Sequence, residues 1–197
     1  MTETLALVLP DEPASVRLMN TVWADRHGVH DALVDVDDLR AWLSAVDEAT
    51  ASLPGGGRLG RTDVTAFRAL RDGLRRLAAL ITEDTRAAAA ADIDVEQAIT
   101  TVNDAVTRDN VWPQLSLSRG TLERQSAGTA TPAMRALSII AAEAIELLTG
   151  EDQIRLRACY APGCVLYFVK NHPRREWCST ACGNRARAAR HYRRHRG

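Results

Sequence analysis

A chain of 197 residues with 46% apolar side chains is long enough for one ordinary domain plus a small appendage, and too apolar for wholesale disorder. The formal charge is zero, but it is divided. Residues 155–197 hold eleven Arg and Lys against one acid, Glu176, a net +10; residues 1–154 hold the other fourteen bases and twenty-four acids, a net −10. No apolar run approaches the ~20 residues of a membrane span. The N-terminus, MTETLALVLPDEPAS, lacks a basic start and has only a five-residue apolar stretch, which argues against a signal peptide. The expectation is a cytoplasmic, nucleoid-associated protein with reduced thiols, no membrane association, and a polyanionic partner for its basic tail. The plain alternative is that the two oppositely charged halves attract each other.

In chain order, Pro13 to Trp23 reads as a first helix with Val16, Met19, Asn20 and Trp23 on one face. Asn20 and Thr21 interrupt that apolar face. They either line a small-molecule pocket, with Arg71 as the anion partner, or cap a neighbouring backbone. His27-x-x-His30, with Asp25 and Asp31 nearby, falls in a predicted loop, and no metal site is expected there. Asp35, Asp37 and Asp38 lead into a second helix with Leu39, Trp42, Leu43 and Val46 at helical spacing. Residues 52–63, SLPGGGRLGRTD, form a glycine loop but not a phosphate loop, since no Gly-Lys-Ser/Thr follows. Thr62 or Asp63 caps a third helix, with Val64, Phe67, Leu70, Leu74, Leu77 and Ile81 down one side. Ala87–Ala91 is helical or a linker, and a fourth helix covers Val95 to about Thr107. Residues 111–126 break the pattern: Val111, Leu115 and Leu117 alternate with polar residues, and Arg119-Gly120 makes a turn, which predicts a β-hairpin. Thr131-Pro132 starts a fifth helix, ending at Gly150, with Met134, Leu137, Ile140, Ala141, Ala144, Ile145 and Leu148 facing a core. No nucleophile elbow or dinucleotide fingerprint occurs, so an enzyme is not expected.

All four cysteines lie in the tail, as C-x4-C, thirteen residues, then C-x3-C: Cys159, Cys164, Cys178 and Cys182. Two close pairs joined by a short loop are the layout of one tetrahedral Zn²⁺ site. Pro162-Gly163 supplies the turn of the first pair. Val165 to Val169 reads as a strand returning along Ile154–Ala158, and Ser179 is a candidate N-cap for a final helix. Four protein ligands leave no open position, so the metal is structural, and its binding supplies much of the module's folding free energy, on the order of 10 kcal/mol. The predicted fold is mainly α: a helical domain over 1–150 with one β-hairpin, then a small four-cysteine zinc module over 151–197 made of a β-knuckle and a basic helix.

Trp177-Cys178 followed by Cys182-Gly183-Asn184-Arg185 resembles the CGNR zinc finger, with Cys159 and Cys164 where that family has its other two ligands. Where that finger often carries Lys two residues past the motif, this chain has Arg187. Leu18-Met19-Asn20-Thr21, Leu39-x-x-Trp42-Leu43 and Phe67-x-x-Leu70-Arg71 resemble the helical ABATE domain commonly fused ahead of it. The resemblance implies a stress-responsive transcription regulator.

The final helix, read for itself, is rich in Ala and holds no Pro. Arg185, Arg187, Arg190, Arg193 and Arg194 are candidate nucleic-acid contacts, Asn184 a candidate adenine reader, and Arg174 and Arg175 candidate phosphate contacts from the preceding loop. Asn184 and Arg185 have an equal alternative as supports of the knuckle. The favoured function is a zinc-containing DNA-binding transcription regulator, whose helical domain senses a small-molecule effector or forms a homodimer. The alternative is an RNA- or protein-binding adaptor with the finger as scaffold.

Overall fold

The structure is a computed structural model that describes residues 9, 11–50, 58–86 and 92–195. The alanine run 87–91, residues 52–57 of the glycine loop and residues 1–8 lie outside the described residues. The described elements are α1 (Ala14–Met19), β1 (Val22–Asp25), β2 (Gly28–Asp31), α2 (Val36–Thr50), α3 (Arg61–Ile81), α4 (Val95–Val106), β3 (Val111–Ser118), β4 (Thr121–Gly128), α5 (Pro132–Thr149), a 3-10 turn (Glu151–Arg155), β5 (Leu156–Ala158), β6 (Tyr167–Val169) and α6 (Thr180–His195). The fold is mainly α, as its sequence indicates.

Local chemistry accounts for most boundaries. Asp35 Oδ1 accepts the backbone N–H groups of Asp37 and Asp38, while Asp38 Oδ2 accepts those of Val34 and Asp35, so α2 starts on reciprocal carboxylate caps. Asp63 caps α3 from inside, accepting Gly60 N–H at 2.8 Å. Asp94 caps α4 through Gln97 N–H, and Thr131 caps α5 through Met134 N–H, with Pro132 at its first position. β3 and β4 pair antiparallel from Val111↔Gly128 to Ser118↔Thr121. Their turn places Arg119 at φ 48° and Gly120 at φ 82°, the doubly left-handed geometry that a two-residue hairpin demands.

The first helix is shorter than its sequence pattern implies. It ends at Met19 because its last carbonyls find other donors: Thr21 Oγ1–H bonds to Leu18 O at 2.8 Å, and Arg75 Nη1–H to Met19 O at 2.9 Å. The chain then turns into β1. Trp23, expected on the helix, pairs with His30 across a second body hairpin, and their rings stack at 4.4 Å. The stretch read as a loop around His27 and His30 is therefore β1–β2, turning at Gly28 with φ 129°.

One apolar cluster runs from Val16 and Leu18 on α1, through Phe67 and Leu70 on α3 and Ile140 on α5, to Leu156 and Ala158 on β5 and Tyr167 and Val169 on β6. The small C-terminal sheet thus shares the body's core. Tyr167 is completely buried within it.

Candidate metal centre

β5 and β6 pair antiparallel as Leu156↔Val169, Arg157↔Phe168 and Ala158↔Tyr167. Ile154, expected in this strand, lies in the 3-10 turn instead. Beyond the short ladder, Cys159 N–H bonds to Leu166 O at 2.9 Å and Cys164 N–H to Ala161 O at 2.9 Å, with Gly163 at φ 73° closing the turn. This brings the first two thiols together. Cys178 precedes α6 and Cys182 sits in its first turn, one helical step later. Ser179 Oγ accepts Cys182 N–H at 3.3 Å, the cap that the sequence indicated.

The four side chains are buried, and their sulfurs lie within 4.8 Å of one another. Four thiolates at the usual ~2.3 Å from a Zn²⁺ ion stand about 3.8 Å apart. Cys164 and Cys178 Sγ are 3.8 Å apart, and Cys178 and Cys182 Sγ are 3.3 Å apart. The donor set therefore fits one tetrahedral zinc, and four sulfurs leave no vacant position for substrate. Hydrogen bonds from neighbouring sulfurs pull Cys159 down to about 7 and Cys182 lower still, while Cys164 and Cys178 are pushed up because they donate. Metal binding draws all four into the thiolate form. Ala161 and Phe168 pack beside the sulfurs, with Leu9, Leu166 and Trp177 on the flank.

A family model described as "Putative stress-induced transcription regulator" (ABATE) matches residues 12–151, and the CGNR zinc finger matches residues 155–195. The chain belongs to the ABATE family. No curated protein matches it. An ABATE body joined to a CGNR finger that holds one structural zinc makes this a zinc-binding member of a regulator family, and both matched families are regulatory or zinc-finger types rather than enzymatic. Among the described residues no helix is long and apolar enough to cross a membrane.

The CGNR motif can now be read atom by atom. Gly183 faces the Trp177 ring: a Cβ there would stand 3.2 Å from Trp177 Cδ1. Glycine lets α6 settle onto that ring and keeps Cys182 at the metal. Arg185 Nη2–H points at Cys182 Sγ, 2.9 Å away, where a guanidinium offsets thiolate charge. Asn184 is exposed, and its Oδ1 accepts a bond from Arg187 Nη2.

Arg175 departs from its expected role. Rather than facing solvent as a phosphate contact, it donates to Val169 O and Cys178 O, each at 3.0 Å, and pairs with Glu12 at 2.6 Å. Its guanidinium lies over the Phe168 ring at 4.9 Å. It binds finger to body. Arg174, Arg187, Arg190, Arg193 and Arg194 remain exposed.

Asn20, Thr21 and Arg71 belong to the core rather than to a cavity. The Asn20 amide donates to Tyr167 O at 2.9 Å and accepts Tyr167 N–H at 2.9 Å, acting as a surrogate strand partner for β6. Thr21 ends α1. Arg71 is buried between Asp31, 2.6 Å from Nη1, and Asp72, 2.8 Å from Nε. Of the two readings of Asn20 and Thr21, backbone capping is the one their hydrogen bonds fulfil. Sequence reasoning did not single out Glu12, Asp84 or Arg86, whose bonds to Val169, Tyr167 and Cys159 span 73 or more residues and leave no local signature.

Proposed function

We propose that this protein is a zinc-containing transcription regulator in which α6 of the CGNR finger lies on duplex DNA. The observation that carries the reading is the outer surface of α6. Asn184, Arg187, Arg190, His191 and Arg194 fall within about 120° of the helix circumference. The helix has no acidic residue. No described carboxylate lies within ion-pair distance of Arg174, Arg187, Arg190, Arg193 or Arg194. The acidic body therefore leaves this charge available, and a rigid arginine face on a metal-anchored helix suits phosphate and guanine groups in a major groove.

The two domains, 1–150 and 151–197, then divide the work. A cleft of about 340 Å³ between α3, α4 and α5, lined by Leu77, Leu80, Ile81, Ile99, Val102 and Ile145, supports effector sensing by the body. Leu115, Leu117 and Leu122, exposed on one face of the β3–β4 ribbon, support homodimer formation.

Fluorescence anisotropy with labelled duplex DNA tests the reading. Five phosphate contacts imply that log K falls with log salt at a slope of about −4 to −5. Arg190→Glu with Arg194→Glu should abolish binding while zinc stays bound. Equal affinity for duplex DNA, single-stranded RNA and heparin, or a salt slope near zero, would overturn it; tighter binding to the RNA would favour the adaptor reading.

A further inference from the structure

We propose that the ABATE body completes the zinc knuckle: Arg86 is a positioning residue for the metal, and through it the body sets how tightly the finger holds zinc.

The placement begins with the end of α3. Asp84 N–H bonds to Ala79 O at 2.8 Å and Glu83 N–H to Leu80 O at 3.4 Å, with Glu83 left-handed at φ 53°. This paired closure turns the chain sharply out of the helix. The turn sends Asp84 and Arg86 towards the knuckle. The Asp84 side chain has no exposed surface. It holds Arg86 in a fork, Oδ1 to Nε at 2.8 Å and Oδ2 to Nη2 at 2.6 Å, and Oδ2 also accepts Tyr167 Oη–H at 3.1 Å. The free arm of the guanidinium, Nη1, donates to Cys159 O at 2.7 Å and to Cys164 O. One fork, fixed by a buried carboxylate, thus ties together the carbonyls of both metal ligands of the first pair. The Tyr160 ring lies 4.8 Å from the guanidinium carbon and covers it.

Two physical consequences follow. The C-x4-C turn must keep two sulfurs on one tetrahedral edge, and pinning the carbonyls at both of its ends removes the backbone freedom that would separate them. A zinc ion with four thiolates also carries two excess negative charges in a buried site. Arg185 meets one of them at Cys182 Sγ, and Arg86 places a second cation behind the opposite pair. Arg86 lies within the residues matched by the ABATE domain, outside those matched by the finger. The finger's metal site is composite.

The test uses the full-length zinc protein and competition with a chromogenic chelator, without DNA, so that its outcome is separate from that of DNA binding. Loss of outer partners of metal ligands costs about 10–100-fold in affinity, and that is the drop expected for Arg86→Gln. Arg86→Lys should fall between, because an ammonium keeps the charge but cannot span two carbonyls and the Asp84 fork. Phe67→Leu, in the body core away from the knuckle, destabilises the fold and should leave zinc affinity unchanged. The proposal is overturned if Arg86→Gln binds zinc as tightly as the parent, if Arg86→Lys is no better than Arg86→Gln, or if Phe67→Leu weakens zinc as much as Arg86→Gln does.

Discussion

Asn20 offers the sharpest test of how the finger is attached. Its amide makes two 2.9 Å bonds to the backbone of Tyr167, 147 residues away, and both residues are fully buried. Asn20→Ala removes both. Each lost bond costs about 1 kcal/mol, and each buried backbone group of Tyr167 deprived of the amide adds roughly 1–3 kcal/mol. Some of that penalty is relieved if water enters the space, so the expected loss is about 3–5 kcal/mol. For a chain of this size 1 kcal/mol corresponds to about 2–4 °C, which gives a fall in Tm of about 6–20 °C. Urea unfolding of the zinc-loaded protein, followed by circular dichroism, measures the loss directly. Thr21→Ala is the matched control: it removes one local bond at the end of α1 and should cost only about 1 kcal/mol. Asn20→Asp should be at least as damaging as Asn20→Ala, since a carboxylate oxygen would face Tyr167 O. If Asn20→Ala loses no more than Thr21→Ala, the long-range clamp does not hold the finger in place and the docking argument fails.

Three further outcomes follow from the same structure. Gly150 is extended rather than left-handed, yet a Cβ there would stand 2.6 Å from Glu146 O, so Gly150→Ala should strain the end of α5 by about 1–3 kcal/mol, read as a lower Tm. Burial pushes the Asp84 carboxyl up, but hydrogen bonds and charge from Arg86 outweigh this and hold it below the ordinary value. A depressed carboxyl stabilises the fold above its unfolded pKa, about 3.9, and that contribution fades as pH falls through the folded value; Asp84→Asn should therefore be less stable at neutral pH and lose less on acidification, by urea titration at pH 7 and pH 3. Chelation should remove the helical signal of α6 while the helices of the body remain, which far-ultraviolet circular dichroism of the full chain resolves.

The sequence was most informative where the physics is local. Spacing placed the four cysteines on one metal, helical periodicity placed α2, α3, α4 and α5, and Arg119-Gly120 marked the β3–β4 turn. Each of these signals lies within one turn or a few residues. The opening region misled for the opposite reason. Val16, Met19, Asn20 and Trp23 keep helical spacing, but Arg75 takes the Met19 carbonyl and Tyr167 takes the Asn20 amide, so the helix stops where distant partners capture its end. Arg175 is the clearest case at the site. In an arginine-rich tail it is indistinguishable from Arg174, and only the arrival of Glu12 and the Cys178 carbonyl separates a structural cation from an exposed one.

Most of the CGNR motif builds the knuckle. Cys182 grips the metal, Gly183 admits the Trp177 ring, and Arg185 leans on a thiolate, so three of its four residues face the knuckle. A helix advances 100° per residue, and a face that supports the metal in its first turn cannot also enter a groove there. Asn184 lies across the helix from Cys182, while Arg187, Arg190 and Arg194 continue the Gly183 side in the turns beyond the knuckle, each about one turn from the last. Zinc and Trp177 fix the base of the helix; the body fixes the knuckle through Glu12, Asn20 and Arg86. The arginine face is thereby held at a set angle to the body instead of swinging on a tether.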